Sequence, residues 1–384
     1  MKRIKFILLI ILTYHAMANK NISEVNYEFP IKFQTDGTAT FFYHIQNNIE
    51  LPANNIQSLK TNIDKAFSLL TKKTCITFQS VSNNSSLKKT IFRLNHWCSA
   101  SLEMQRGELL FAINVNHSCI SKEILQRLIY LNINMIMKTK KCLLENPHLI
   151  SGLIFEENIY DFISLCVFFD PHEAELMITN YNLIEFIFLI RTKRKSIKSK
   201  DLKQKDYSKI FSFRDLKYIN EKICKNTCKT EPPLECKNGG YVNPKNCTEC
   251  LCPSFYTGKL CGNYTKPKRQ DYCGRQSLKV SSVPATKILN LGVECFYRIE
   301  PSINKKIVLT FKPITQLYWD CNYDKLLEIQ YLKDKTVDGV MPCGNITSFN
   351  ITGTINSSLF IYHDSMASMK PMVYIKYTEV GEED

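Results

Sequence analysis

Residues 121–137, SKEILQRLIYLNINMIM, decide the fold class of the first half of the chain. Apolar side chains recur here at the spacing of one helical face, at Ile124, Leu125, Leu128, Leu131 and Met135. Directly before them, residues 107–115 read GELLFAINV, an apolar run typical of a strand. This succession of strand and helix indicates a mixed α and β domain with the helix at its centre.

The sequence upstream repeats the pattern. Residues 52–70 also have helical spacing, and Asn54 or Asn55 is available as the N-cap. The apolar positions are Ile56, Leu59, Ile63, Phe67 and Leu70. Residues 73–80, which include CITF, then indicate a short strand. We therefore expect a large α+β domain that spans residues 29–224.

The sixteen cysteines divide the rest of the 384-residue chain. Six of them fall within residues 228–261, and four more widely spaced ones follow from Cys273. So small a module needs cross-links, because it buries too little apolar surface to fold without them. Beyond it, KIVLTFKPI, LLEIQYL, SLFIYH and MVYIKYTEV are short apolar runs separated by turn residues. That profile predicts an antiparallel β-sandwich over residues 273–379.

The N-terminus has the features of a signal peptide at residues 1–18. A basic start with Lys2, Arg3 and Lys5 precedes an apolar run, and Ala16 and Ala18 form a small-residue cleavage site. The apolar run is about half of the ~20 residues that a membrane-spanning helix needs. Sixteen cysteines in an exported chain indicate a disulfide framework. We expect a secreted, extracellular protein.

Two surface features follow from that location. Nine Asn-x-Ser/Thr triplets are candidate glycosylation sites, at Asn21, Asn83, Asn84, Asn116, Asn246, Asn263, Asn345, Asn350 and Asn356. The formal charge is +14, and residues 191–205, from Arg191 to Lys205, hold eight Lys or Arg. This run is either a solvated loop or a docking site for sulfated glycans. Nucleic acid is not an expected partner of an exported chain.

Six segments of residues 29–224 resemble the astacin family of zinc metalloproteases, in the family's order. They are FPIKF at 29–33, KTCITF at 73–78, HWCSA at 96–100, RGELLF at 106–111, YDFIS at 160–164 and FRDLKYINEKIC at 213–224. The resemblance implies a two-lobed metzincin protease fold. It also implies disulfides that join Cys75 to Cys224 and Cys98 to Cys119.

The zinc motif of that family, HExxHxxGxxH, is degenerate in this sequence. Aligned from Cys119, Lys122, Gln126 and Asn132 stand at the three histidine positions, and Ile129 stands at the glycine. A lysine ammonium has no lone pair to give a metal. Glu123 remains at the position of the general base, but without a metal-bound water it has nothing to activate. We therefore expect no zinc at these positions.

The other parts of the family's active site are also altered. Cys166 and Phe168 replace the Met and the Tyr of the Met-turn segment, and Cys142 is a second cysteine outside the implied disulfides. Cys142 and Cys166 either pair with each other or stay buried and free. The six histidines after residue 18 are at least 21 residues apart, so no helical pair of ligands exists. A zinc site assembled from distant histidines is the remaining alternative.

The two later regions resemble accessory modules. CKNGGY and CPSFYTGKLC at 236–241 and 252–261 resemble an EGF-like module, which implies the pairs Cys228–Cys247, Cys236–Cys250 and Cys252–Cys261. CFYRI and CNYDKLLEI at 295–299 and 321–329 resemble a CUB domain, which implies Cys273–Cys295 and Cys321–Cys343. Calcium in that domain would use Asp324 and Asp364, although Gln316 replaces the expected Glu.

Together these observations predict a catalytically inactive astacin-like protein that binds extracellular proteins or peptides. Sulfated glycans at residues 191–205 are a second class of partner. The competing hypothesis is an active zinc metalloendopeptidase with a non-standard metal site.

Overall fold

The computed structural model describes residues 27–46, 53–96, 98–105, 108–116, 120–145, 211–229, 233–267, 269–291, 293–314, 317–319, 327–363 and 372–381. The chain divides into two compact units. The first comprises residues 1–34, 39–67 and 77–186, and the second comprises residues 35–38, 68–76 and 187–384.

The first unit contains a six-stranded sheet. Its strands are β1 (Ile31–Phe33), β2 (Ala39–Ile45), β3 (Ile76–Ser80), β4 (Thr90–Leu94), β5 (Ser99–Gln105) and β6 (Glu108–Val115). They lie in the order β1-β2-β4-β6-β5, with β3 also paired to β2. The pairs β2–β4 and β4–β6 are parallel, whereas β5 runs antiparallel to β6. Strand β6 therefore has a partner on each side, and its residues from Phe111 to Val115 are buried.

Two helices, α1 (Ala53–Lys73) and α2 (Lys122–Glu145), contribute to the core. Both helices and strands β3 and β6 confirm the predictions from apolar spacing. The prediction of an N-cap at Asn54 or Asn55 is wrong, because α1 already begins at Ala53 and both residues lie in its first turn. The aromatic part of the core centres on Phe67, whose ring stacks on Phe78 at 3.9 Å and lies 4.9 Å from Tyr43. Helix α2 packs against β5 and β6. The face of α2 toward the sheet is buried through Leu125, Ile129, Ile133 and Ile136.

In the second unit, helix α3 (Phe213–Ile223) is tied to residues that precede β3. Cys224 is disulfide-bonded to Cys75, and Asn220 Nδ2 donates to the Lys73 carbonyl at 2.9 Å. The N-cap Ser212 and Asp215 form a capping box, in which each side chain accepts from the other's backbone N–H at 3.0–3.1 Å. These contacts explain why residues 68–76 group with the second unit.

A disulfide-rich segment follows α3. It contains two short antiparallel pairs, β7 (Tyr241–Val242) with β8 (Cys250–Leu251) and β9 (Tyr256–Thr257) with β10 (Asn263–Tyr264). Three disulfides hold it, Cys228–Cys247, Cys236–Cys250 and Cys252–Cys261. Lys217 Nζ of α3 donates to the Gly239 carbonyl at 3.0 Å, which ties the segment to that helix.

The remaining residues form a β-sandwich. After the short helix α4 (Gln270–Cys273), the strands are β11 (Ser277–Leu278), β12 (Ala285–Asn290), β13 (Cys295–Ile299), β14 (Lys306–Pro313), β15 (Leu317–Trp319), β16 (Leu327–Gln330), β17 (Gly344–Ile346), β18 (Phe349–Thr352), β19 (Leu359–His363) and β20 (Met372–Val380). One sheet has the order β11-β13-β19-β16 and the other β12-β20-β14-β18. Their apolar faces share a core with the Cys273–Cys295 disulfide. Among the described strands of the sandwich, only the pair β11–β13 is parallel.

The four runs that predicted the sandwich correspond to β14, β16, β19 and β20. The signal-peptide residues 1–18, the basic residues 191–205 and the segment with Cys166 and Phe168 lie outside the described residues. None of the described helices combines the length and the apolar character that a membrane crossing requires.

Candidate functional site

Helix α2 carries the positions where the resemblance places a zinc site. The residues before it anchor its start, because Asn62 Nδ2 donates to the Ile120 carbonyl at 3.0 Å. The Ser121 hydroxyl accepts from the Ile124 N–H at 3.5 Å, a long contact for a cap. Lys122 and Glu123 therefore open the helix in its first turn.

The helix continues without a break through Ile129 to Glu145. A glycine at position 129 would favour a bend, whereas isoleucine holds the helical backbone, and Ile129 itself is fully buried. At ~1.5 Å per residue, ten residues of helix place position 132 about 15 Å along the axis from position 122. The ligands of one zinc ion must lie within ~2 Å of it. A continuous helix therefore spreads these positions too far apart to share one ion.

Asn132 is engaged in packing. It is fully buried; its Oδ1 accepts from the Thr90 hydroxyl at 2.9 Å, and its Nδ2 donates to the Ala112 carbonyl at 3.4 Å. The side chain thus joins α2 to β4 and β6. Both of its polar atoms are committed to the sheet, so its amide oxygen is not directed at a metal.

Gln126 is also buried, with 2% of its surface exposed, and Lys122 is half-buried. Glu123 lies on the helix, but its side chain falls outside the described residues. An ammonium and two amides, one of them consumed by Thr90 and Ala112, are a poor donor set for zinc, which takes thiolate, imidazole and carboxylate. These residues do not fit a zinc ion.

Histidines elsewhere do not supply a substitute within the described part of the chain. His44 Nδ1 lies 3.0 Å from the Val81 carbonyl, and His363 is fully buried in the sandwich with its ring 5.9 Å from that of Tyr297. His117, His148 and His172 are outside the described residues. Among the residues that are described, no three His, Cys, Asp or Glu side chains group so as to hold a metal ion.

The disulfides agree with the resemblance where both cysteines are described. Cys98, Cys142 and Cys343 are each disulfide-bonded as well, so the alternative of a buried free thiol is wrong for Cys142. Cys119, Cys166 and Cys321 lie outside the described residues. So do the candidate calcium ligands Asp324 and Asp364, together with Gln316.

The glycosylation triplets lie mostly on the surface. Asn116 is half-buried, and its Nδ2 donates to the His96 carbonyl at 2.7 Å, whereas Asn21 lies outside the described residues. The exposed members are Asn83, Asn84, Asn246, Asn263, Asn345, Asn350 and Asn356. At those seven positions, the fold leaves the asparagine open to solvent.

Comparison with known proteins finds no protein-family model that matches the chain. Zinc metalloproteinase nas-34 of Caenorhabditis elegans is 29% identical over 151 residues, which is 39% of this chain and 24% of that protein. Zinc metalloproteinase nas-37 of the same organism is 32% identical over 144 residues, 36% of this chain and 17% of that protein. Zinc metalloproteinase nas-36 of Brugia malayi is 48% identical over 63 residues, 16% of this chain and 10% of that protein.

The chain is similar to astacin-like zinc metalloproteinases. The resemblance predicted from sequence is confirmed at that level, and the chain spans a quarter or less of the length of these three relatives. Among solved structures, high choriolytic enzyme 1, a hatching enzyme zinc-protease from the medaka Oryzias latipes, is 18% identical. The match covers 29% of this chain and 50% of that one at a TM-score of 0.20, too low for a comparison of folds.

Proposed function

We propose that this chain is a secreted astacin-like protein that has lost proteolytic activity and acts by binding proteins or peptides outside the cell. The observation that carries the proposal is the packing role of Asn132. Its amide is bonded to Thr90 and Ala112 on an unbroken helix. A protease of the related kind needs that position for a metal ligand, so the chemistry has been replaced by packing.

Export is supported by the cysteines. All thirteen described cysteines are disulfide-bonded, ten of them in five bridges whose two ends are both described. Structural disulfides persist in oxidising compartments and are rare where thiols are kept reduced. The N-terminal signal at residues 1–18 is consistent with that location.

The later part of the chain supplies the proposed binding modules. We assign residues 228–261 to an EGF-like module, supported by its three disulfides and two short strand pairs. We assign residues 273–379 to a CUB domain, supported by two four-stranded sheets around a shared apolar core. Calcium through Asp324 and Asp364 is part of this proposal.

The first test is the zinc content of the secreted protein, purified without a histidine tag, dialysed against trace zinc and measured by elemental analysis. We expect much less than one zinc per chain, with an astacin-like zinc metalloproteinase as the positive control. About one zinc per chain would favour the alternative, an active zinc metalloendopeptidase with a non-standard site.

The second test is the Glu123→Ala variant, assayed on an unstructured protein substrate beside the wild type. We expect no difference between the two, because the residues at the zinc positions do not fit an ion whose bound water Glu123 would activate. Wild-type cleavage that the substitution abolishes would show that the enzyme hypothesis is correct.

Sulfated glycans are the second proposed class of partner, because residues 191–205 concentrate eight basic side chains. Retention on immobilised heparin should fall with added salt and should be lost when the lysines of this run are replaced by glutamine. Retention that is independent of salt would contradict this part of the proposal.

A further inference from the structure

A groove of about 720 Å³ lies in the second unit, between the disulfide-rich segment and the β-sandwich. One wall is formed by residues of the segment from Phe255 to Lys266, and the other by β13 and β19 residues that include Arg298 and Phe360. Its size is in the range of small-ligand sites, which are ~300–1,000 Å³. It shares no residue with the positions on helix α2.

The walls of the groove are aromatic. Phe255 stacks on Phe360 with ring centres 5.0 Å apart, and Tyr264 lies 5.9 Å from the same Phe360 ring. Phe296 approaches Phe255 edge to face at 6.4 Å. Phe255 and Phe360 are buried, and the rings open to an occupant are Tyr264 of the segment and the half-buried Phe296 of the sandwich. An occupant that contacts both rings therefore contacts the segment and the sandwich together.

Polar contacts hold Tyr264 in place. The guanidinium of Arg298 lies 3.8 Å from the centre of the Tyr264 ring, and the Tyr264 hydroxyl donates to Glu300 at 3.3 Å. Burial raises the pKa of this hydroxyl, so it stays a donor at neutral pH. Tyr264 nevertheless keeps 41% of its surface exposed. The result is a fixed aromatic surface that faces solvent.

Asn263 lies on the lining of the same groove and is exposed. It starts the triplet Asn263-Tyr264-Thr265, in which Thr265 also lines the groove. A Cβ at Gly258 would come 3.0 Å from the Asn263 Nδ2 atom, so the glycine allows the Asn263 side chain to lie there. This exposed triplet therefore places a glycan attachment point at the edge of an aromatic groove.

We propose that Asn263 carries an N-linked glycan whose first sugars lie in this groove. The C–H faces of the sugar rings pack on the exposed Tyr264 and the half-buried Phe296, and their hydroxyls accept from Arg298. The attachment is a group transfer from a lipid-linked oligosaccharide. The Asn263 amide nitrogen loses a proton and bonds to the anomeric carbon of the first sugar, and the lipid diphosphate leaves. The inference rests on the secreted location in the proposed function.

A covalently attached occupant is favoured over a free partner by its high effective concentration at the groove. Because its contacts would reach both walls, the glycan stabilises the junction between the segment and the sandwich. Asn350, on the exposed side of β18, does not line this groove, so a glycan there supplies the matched control.

The test begins with glycopeptide mass spectrometry of the full chain, secreted from animal cells. We expect Asn263 to be occupied. An amidase that removes N-glycans from the folded protein should release the Asn263 glycan at least tenfold more slowly than the Asn350 glycan. Complete removal should lower Tm by about 2–4 °C, and the Asn263→Gln variant should show the same lowering. The Asn350→Gln variant should change Tm by less than 1 °C.

Three further comparisons make the test decisive. Thr265→Ser keeps the triplet and should behave as the wild type, whereas Thr265→Ala should behave as Asn263→Gln. In protein made without N-glycosylation, the Tm difference between wild type and Asn263→Gln should vanish. An unoccupied Asn263 in a chain glycosylated at Asn345 or Asn350 would overturn this inference alone. Secreted chain without glycans would do the same, and a chain retained in the cell would overturn the secreted location as well.

Discussion

Helices α2 and α3 belong to segments that resemble the same protein family. The α3 segment matches the family in its stabilising contacts, whereas the α2 segment differs from it at the zinc positions. In the α3 segment the capping box and the Cys75–Cys224 disulfide are intact. In the α2 segment the chemistry-bearing positions hold Lys122, Gln126 and Asn132, and the cap contact from Ser121 is long. The contrast teaches that residues which hold a chain together and residues which perform chemistry can diverge independently on one scaffold.

The largest effect is expected from the Cys75→Ser/Cys224→Ser double variant. This disulfide closes a sequence separation of 149 residues. In the chain-entropy model its loss costs about 5 kcal/mol of unfolding free energy. We expect the secreted yield to fall sharply, with a lower urea midpoint in whatever protein is recovered.

The matched control is Cys252→Ser/Cys261→Ser, whose bridge closes a separation of only 9 residues. The same model gives about 2.5 kcal/mol for it. Equal losses for the two variants would show that the Cys75–Cys224 bridge does not contribute through its long loop.

The second effect concerns the packing role of α2. Asn132→Leu would leave the Thr90 hydroxyl buried without a partner and would remove the contact to the Ala112 carbonyl, at a cost of about 1–3 kcal/mol in urea unfolding. Adding Thr90→Val removes the orphaned hydroxyl, so the double variant should cost no more than Asn132→Leu alone. Additive losses would mean that the two side chains are not coupled.

The third effect concerns lysines whose pKa is lowered by burial, one in the sandwich and one on α2. Burial lowers the pKa of Lys335 in the sandwich to about 8, and it lowers the pKa of Lys140 on α2. Lys335 Nζ donates to Leu332 O, to Ser357 Oγ at 3.0 Å and to Ser358 O at 2.6 Å.

The direction in which Lys335 makes the unfolding free energy change with pH follows from its lowered pKa. Between pH 8 and its unfolded pKa of ~10.4, the unfolded chain binds more protons than the folded chain. Unfolding free energy should therefore rise between pH 8 and 10, by about 1–2 kcal/mol. Below pH 8, Lys335 is protonated in both the folded and the unfolded chain. The full cost of burying its charge then lowers the unfolding free energy and no longer changes with pH. Above pH 10 the trend should reverse, because burial raises the pKa of Tyr297 to about 12 while unfolded tyrosines ionise.

Urea titrations at several pH values between 7.5 and 10 measure this dependence, and Lys335→Met should flatten it. An unchanged slope in that variant would exclude Lys335 as its source.

The smallest effect compares the two helix starts. Ser212→Ala breaks the capping box of α3 and should cost about 1 kcal/mol. Ser121→Ala removes only the 3.5 Å contact at α2 and should cost less than about half as much. A reversed order, measured by urea unfolding, would contradict the ranking of the two caps.

Apolar periodicity was sufficient to predict α1, α2, β6 and the sandwich, because each of these elements buries one face. The family resemblance supplied the disulfide pairs. The Thr90–Asn132 hydrogen bond could not be predicted, because Thr90 is an ordinary polar residue at the start of a strand and its partner lies 42 residues away. The groove at Asn263 was missed for the same reason, since its aromatic walls come from residues about a hundred positions apart.

The unbroken helix through Ile129 also determines how easily the zinc motif of the family could be introduced into this fold. Introducing the zinc motif of the family would need three histidines and a helix-ending glycine together. A histidine at position 132 alone would displace a buried amide from its partners on β4 and β6, and a glycine at 129 alone would open a cavity under the helix. Each of these single substitutions is therefore expected to weaken the fold before the motif is complete.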